Sequence, residues 1–325
     1  MEAHSGQDIG ILSTGAYVPD QAITNSMVAQ GASVEESWIL RATGIHERRR
    51  AEPHQRTSEM AEPAAKEALA CVQGNVDAVI VATSSPDQPA PATASSLQYR
   101  LGITDRPAFD INAVCGGFVY GMAVARSLIL THDDISTVLL VGADQLSKFT
   151  DPTDRSTAPL FGDGAGAVVL GPVSEPSGIK AVRLTAFSEH HDLVGITTPT
   201  PQHADCRARA GTIHLNGRRV RDVFLDKLPL LVRQATHDAG WTVPEVDWFV
   251  FHQGNPAMLR DTATRLNISP ERIGITADLY GNTGCASMPL TLYHMNRAAP
   301  FERGQRIILA GAGAGITVGA LALLW

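Results

Sequence analysis

Three shortages bound what this chain can be. Cysteine is scarce: Cys71, Cys115, Cys206 and Cys285 are the only four in 325 residues. They are widely scattered, no pair has metal-ligand spacing, and no dense framework suggests a stapled secreted domain. Positive charge is in deficit. The balance of 26 Lys and Arg against 33 Asp and Glu gives a net charge of -7, so nothing points to a nucleic-acid partner. Long apolar runs are missing too. None reaches about 18 residues with the flanks of a membrane span, and the polar stretch Met1 to Asp8 lacks the apolar centre of a signal peptide. The expectation is a soluble, cytoplasmic protein with no metal, no nucleic acid and no membrane contact. The remainder, 44% hydrophobic and 18% charged, is globular and long enough for one large core or two fused ones.

The chain is organised around Asp110-Ile111-Asn112-Ala113-Val114-Cys115-Gly116-Gly117-Phe118. An apolar strand pattern ends near Asn112, and Phe118 to Leu130 reads as a buried helix. Cys115 sits at the turn between them. A thiol there faces the positive end of a helix dipole, which favours thiolate. Gly116 and Gly117 let a substrate carbonyl and another backbone come close. A lone cysteine can equally be plain buried structure.

Along the chain, Ile9 to Val18 reads as a strand with a turn at Gly15. Ser33 to Thr43 reads as a helix capped by Ser33. His46 to Arg50 is basic, either a solvated turn or an anion site. Thr57 to Val72 is an Ala-rich helix interrupted near its start by Pro63. Val76 to Thr83 (VDAVIVAT) is a continuous apolar strand of the doubly buried type. Pro86, Pro89 and Pro91 make Ser84 to Thr93 a loop. Thr137 to Gly142 and Ala167 to Leu170 are further buried strands. The Pro-, Ser- and Gly-rich stretch from Gly171 to Gly178 is the best boundary between halves. Thr197 to Gly211 reads as an irregular surface segment. Then the plan repeats. Val220 to Ala239 is an amphipathic helix, Val246 to Phe251 (VDWFVF) parallels VDAVIV, Ile273 to Thr276 is a strand, and an Asn282 turn precedes another helix. Ile307 to Ala310 and Thr317 to Leu324 close the chain as strands. Two copies of an alternating β/α unit look fused, residues 1–172 and 173–325.

His252 ends a buried strand, and Asn282 sits between Gly281 and Thr283-Gly284. Each alone could be structural: a hydrogen-bonded core histidine, or an asparagine supplying a left-handed turn. Together Cys115, His252 and Asn282 at three strand ends make a constellation for thiol catalysis. A neutral imidazole and an amide can both donate hydrogen bonds to a developing oxyanion or enolate. No carboxylate in these stretches is placed to orient the histidine as a protease-type base, which favours carbanion or acyl chemistry over peptide hydrolysis.

Nearly end to end, the chain resembles the thiolase-fold condensing enzymes, most closely β-ketoacyl-acyl-carrier-protein synthase III. The residues that carry the resemblance are Trp38 with Thr43-Gly44-Ile45, the Cys115 turn, Asp151-Pro152-Thr153-Asp154-Arg155, Phe161-Gly162-Asp163-Gly164-Ala165-Gly166, His252-Gln253-Gly254-Asn255 and Gly281-Asn282-Thr283. The resemblance implies a duplicated five-layer α/β/α/β/α fold working as a homodimer, with acyl-CoA and an acyl carrier protein as partners. It implies no cofactor, coenzyme A entering only as a substrate thioester. Cys115 would take the acyl group. His252 and Asn282 would stabilise the enolate formed when a malonyl thioester loses carbon dioxide. The backbone N–H groups of Cys115 and Ala314 would form the acyl oxyanion hole. Trp38 and Arg155 would sandwich the adenine, Thr43, Gly217 and Asn255 would line the pantetheine tunnel, and Ala90 and Ile316 would shape the acyl pocket.

Five departures from the family concern delivery and acceptance of the acyl group. Ala42 stands where many members carry a second stacking arginine, and Ala90 where they carry a large aromatic. Asp222 and Ala257 replace basic docking residues, for which Arg218, Arg219, Arg221, Arg260 and Arg265 could substitute. Ala312-Gly313-Ala314-Gly315-Ile316 replaces an aromatic-flanked glycine triplet. The expected activity is therefore condensation in fatty-acid or polyketide initiation. The alternatives are ester, amide or unusual β-keto formation from the same acyl-cysteine, and a catalytically silent partner of another condensing subunit, against which the intact Cys/His/Asn set argues.

Overall fold

The computed structural model describes residues 8–196 and 211–325, so most of the irregular segment expected over 197–211 lies outside the described residues. The chain opens with strand β1 (Asp8–Tyr17), strand β2 (Gln21–Thr24), helices α1 (Asn25–Ala32) and α2 (Glu36–Thr43), and strand β3 (Glu47–Arg50). Helix α3 (Thr57–Leu69), strand β4 (Ala78–Ala82), helix α4 (Thr93–Arg100), strand β5 (Ala108–Ile111) and helix α5 (Gly117–Thr131) follow. Next come strands β6 (Val138–Gln145), β7 (Asp163–Val173), β8 (Gly178–Ala186), β9 (Val194–Ile196) and β10 (Ile213–Leu215). The chain ends with α6 (Gly217–Asp238), β11 (Trp248–Phe251), α7 (Pro256–Leu266), α8 (Ala277–Tyr280), α9 (Ser287–Ala298), β12 (Arg306–Gly313) and β13 (Thr317–Leu324).

Two sheets repeat one order. The first runs β1-β7-β6-β4-β5, with β4 parallel to both β5 and β6 and the β6-β7 and β1-β7 pairs antiparallel. The second runs β8-β13-β12-β11, with β11 parallel to β12 and the other pairs antiparallel. Ile273 bridges Phe249 in parallel, where the first sheet has β5. A single bridge therefore replaces the strand expected over Ile273 to Thr276.

Helices α5 and α9 lie between the two sheets, α3 packs on the outer face of the first and α6 on that of the second. This is the five-layer α/β/α/β/α arrangement of the thiolase fold. Strands covered on both faces need apolar residues throughout, and all of β4 and β6 are buried. Residues 114–131 are apolar and long enough to cross a membrane by length and composition. In the fold their helix packs against both sheets, with Phe118, Met122, Ala125 and Ile129 in the central core.

Several local expectations are corrected by tertiary contacts. Gly15 lies inside β1, not at a turn; a Cβ there would stand 2.1 Å from the Ala64 carbonyl oxygen, so the glycine lets α3 dock. Ser33 does not cap α2. It ends α1 in the left-handed region, with φ 53°. Helix α3 continues through Pro63, which sits on a half-exposed face. The basic stretch is strand β3, and its Arg48 is neither solvated nor an anion site. Only 2% exposed, Arg48 donates to the Ile23 and Pro159 carbonyls and to Asn25 Oδ1, and burial lowers its pKa to about 10.

Candidate active site

The nucleophile turn follows β5 as a single 3-10 turn, Val114–Gly116, and runs into the N-terminus of α5. Val114 has φ 46°, an unfavourable left-handed conformation for a β-branched residue. Neighbours hold the turn from several sides. Asn112 Oδ1 accepts the Val114 N–H, the Thr317 hydroxyl donates to the Ala113 carbonyl, and the Cys285 thiol donates to the Val114 carbonyl at 2.8 Å. Gly313 presses against the turn so closely that a Cβ would meet the backbone nitrogens of Cys115 and Gly116 at 2.8 and 3.0 Å.

Cys115 is half-buried and free of any disulfide. The dipole argument for thiolate is outweighed here. Burial, with the Asp144 carboxylate adding to it, pushes the thiol up to about 12.

His252 follows β11 at its carboxyl end. It is buried, and desolvation lowers its pKa to about 4, so the imidazole is neutral. Its Nδ1 lies 2.8 Å from the Ser287 hydroxyl. Asn282 is held by the Phe161-Gly162-Asp163-Gly164 motif: its N–H donates to the Leu160 carbonyl, and its carbonyl accepts from Gly162. A Cβ on Gly162 would stand 2.2 Å from the Tyr280 carbonyl, which is why this glycine precedes Asp163. The buried Asp163 carboxylate accepts from the Ala51 and Ser147 N–H groups and the Ser147 hydroxyl, fixing the motif. Asn282 Oδ1 accepts the Gly284 N–H, so the side-chain NH2 is turned toward the cavity with both protons to give.

Cys115, His252 and Asn282 line one cavity of about 370 Å³, together with Gly217, Asn255, Ala314 and Ile316. Its far wall is apolar, with Leu146, Phe161, Phe224 and Met258 among the lining side chains. Asn255 also caps α7, its Oδ1 accepting the Met258 N–H. The remaining expected residues lie off this cavity. Arg155 lies over the Trp38 ring, 5.0 Å from its centroid. Thr43 is buried, and its hydroxyl donates to the Ile39 carbonyl and accepts the Ile45 N–H. Ala90 is exposed on the loop after β4 and does not reach the cavity of its own chain.

Sequence reasoning missed Ser84, which lines the cavity, and also Ser287 and the buried Asp144. Asp144 Oδ1 accepts from Thr83, Ser84 and Ser85, and its Oδ2 from the Cys285 N–H, so one carboxylate joins the β4 loop to the Asn282 loop. It also missed Cys285 as the counterpart of Cys115. The signal was present: Cys115 follows Val76 by 39 residues, and Cys285 follows Val246 by 39. The residues before them, Val114 and Gly284, both have positive φ.

Comparison with known proteins agrees with this architecture. The signature of 3-oxoacyl-[acyl-carrier-protein (ACP)] synthase III matches residues 109–187, and that of its C-terminal part matches residues 236–325. Acetoacetyl CoA synthase NphT7 of Streptomyces sp. (strain CL190) is 37% identical over 324 residues, covering 97% of this chain and 98% of that one. The β-ketoacyl-[acyl-carrier-protein] synthase III of Geobacillus kaustophilus is 40% identical over 319 residues, covering 97% and 98%. The crystal structure of the synthase III from Thermus thermophilus superposes with a TM-score of 0.92 at 36% identity, covering 97% of this chain and 99% of that one.

Proposed function

The chain belongs to the 3-oxoacyl-[acyl-carrier-protein] synthase III family, and on that premise we propose that it is a condensing enzyme initiating fatty-acid or polyketide chains. The observation that carries this reading is the convergence of Cys115, His252 and Asn282 on one apolar-walled cavity. In the first half-reaction the Cys115 sulfur attacks the acyl-CoA carbonyl. Its proton ends on the departing CoA thiol, leaving an acyl thioester on Cys115. The Cys115 and Ala314 N–H groups receive the tetrahedral oxyanion. In the second, a malonyl thioester loses carbon dioxide, and its enolate oxygen takes hydrogen bonds from His252 and the Asn282 amide. The enolate carbon attacks the acyl group, and the Cys115 thiolate leaves and regains a proton. A neutral imidazole suits this step, because it donates without the cost of a buried cation. No cofactor enters; coenzyme A is part of a substrate.

Trp38 and Arg155 are assigned to the adenine. Gly217 and Asn255 line the pantetheine path, Thr43 shapes its outer wall, and Ile316 bounds the acyl end. Residues 1–172 carry the nucleophile and residues 173–325 the His/Asn pair, a division supported by the two sheets. A homodimer is favoured by the exposed loop bearing Ala90, which does not line its own cavity, and by Tyr99, which is 87% exposed on the adjacent helix. The free thiols of Cys71, Cys115 and Cys285 fit a cytoplasmic setting. An acyl carrier protein would meet Arg218 and Arg219, exposed beside Gly217 at the cavity mouth.

The test is intact-protein mass spectrometry after incubation with a panel of acyl-CoAs. One acyl mass should appear on the wild type and none on Cys115→Ala. Acylation that survives Cys115→Ala would overturn the reading.

A further inference from the structure

We propose that Ser287 is a positioning residue that holds His252 in the Nε2–H tautomer, with that proton aimed into the cavity. The proposal rests on the condensing role given to His252 above, and it adds which nitrogen does the work.

The argument is a count of protons. Ser287 is the first residue of α9 and is 1% exposed. Its hydroxyl oxygen accepts the Gln253 N–H at 3.3 Å and lies 2.8 Å from His252 Nδ1. The hydroxyl has one proton to give. The Gln253 side chain cannot take it: its Nε2 donates to the Phe251 and Gly274 carbonyls, and its Oε1 accepts from the Thr276 and Ala277 N–H groups. Among the described residues, Nδ1 is the one remaining partner of the Ser287 hydroxyl. A proton on Nδ1 would set two donors against the same oxygen and leave the hydroxyl's own proton buried without an acceptor. Buried polar groups avoid that arrangement. The hydroxyl therefore donates to Nδ1, and a neutral ring then carries its proton on Nε2. Burial keeps the ring neutral, with a pKa near 4. Nε2 makes no hydrogen bond to a described residue, and His252 lines the cavity.

The consequence is chemical. An imidazole with Nε2–H toward the substrate donates to an enolate or carboxylate oxygen. The same nitrogen cannot accept a proton from an incoming alcohol or amine. Ser287 thereby biases the site toward decarboxylative condensation and away from base-assisted ester or amide transfer.

The experiment uses the full-length protein with ¹⁵N-labelled histidine. The His252 signals are assigned by their loss in His252→Gln. Imidazole ¹⁵N shifts distinguish a protonated from an unprotonated nitrogen, and the wild type should show Nε2 protonated and Nδ1 bare. In kinetics, Ser287→Ala should slow decarboxylation of a malonyl thioester about 10- to 100-fold, the scale of a misaligned catalytic group, while Cys115 acylation stays within about twofold. Ser287→Thr, which keeps the hydroxyl, should restore decarboxylation. Nδ1 protonated in the wild type would overturn the proposal without any variant, even if Ser287→Ala fails to fold. Unchanged decarboxylation in Ser287→Ala, or equal loss of acylation and decarboxylation, would overturn it too. Failure of the underlying reading looks different: His252→Gln would then decarboxylate as fast as wild type, whichever tautomer is found.

Discussion

The guanidinium of Arg155 stacks over the indole of Trp38, 5.0 Å from the ring centroid. The two come from distant parts of the chain. Trp38 is on α2, and Arg155 is on a turn built by Asp151 and Asp154, whose carboxylates accept from Thr153, Ser156 and Thr157. A purine entering between them parts the pair, giving up a cation–π contact worth about 0.5–1 kcal/mol on an exposed surface for a stack on the indole worth about 1–3 kcal/mol and a second contact under the guanidinium. Trp38→Ala should therefore raise KM for acyl-CoA about 3- to 30-fold with kcat little changed, and Arg155→Ala should raise it by less. Acyl-pantetheine, which has no adenine, should show no such rise. An equal loss with both substrates would remove the adenine role.

Ala90 bears on substrate size. It is exposed in its own chain, so it can shape an acyl pocket only in a partner protomer. A methyl group there leaves room that a ring would fill, and each further buried methylene gains about 0.8 kcal/mol, or roughly fourfold in loading. We expect wild-type enzyme to load acyl groups bulkier than acetyl and Ala90→Phe to shift the optimum toward short chains. Strict acetyl preference in the wild type, or one size profile for both proteins, would show that other side chains set the pocket.

The buried imidazole also sets a stability dependence on pH. Unfolded, His252 takes up its proton near 6.5; folded, only near 4. Between those values the unfolded state binds more protons, so stability falls as pH falls from about 6.5 toward 4. One pKa unit is worth about 1.4 kcal/mol, which makes the full loss about 3 kcal/mol. Urea unfolding across this range should show a steeper decline for wild type than for His252→Gln. Parallel curves would mean that His252 is solvated or charged in the folded protein.

Much of this was readable before the structure. The VDAVIV and VDWFVF runs became β4, inside the first sheet, and β11, the end strand of the second, because a strand covered on both faces needs an unbroken apolar sequence. Cys115 and His252 were visible because they follow strands β5 and β11, and Asn282 because it stands among glycines, although it follows helix α8 and not the strand end expected for it. What stayed hidden depends on contacts between distant segments. Gly15 looked like a turn because its partner, the Ala64 carbonyl, lies on another helix. Ser287 gave no signal of its own because its partner, His252, is 35 positions away in the chain. The environment of the Cys115 thiol was only partly legible, because a helix dipole is a local property, whereas desolvation and Asp144, which raise the thiol pKa, act through the whole site.

The most direct test of the central claim starts from enzyme already acylated on Cys115, mixed with a ¹⁴C-carboxyl malonyl thioester on CoA or on a carrier protein. Wild type should release labelled carbon dioxide and form a β-ketoacyl thioester in equal amounts. His252→Ala and Asn282→Ala should still become acylated but release carbon dioxide about 10²- to 10³-fold more slowly, the usual cost of losing one oxyanion donor. Acyl transfer to an alcohol or amine with no carbon dioxide released, or variants that lose acylation and decarboxylation alike, would contradict the account.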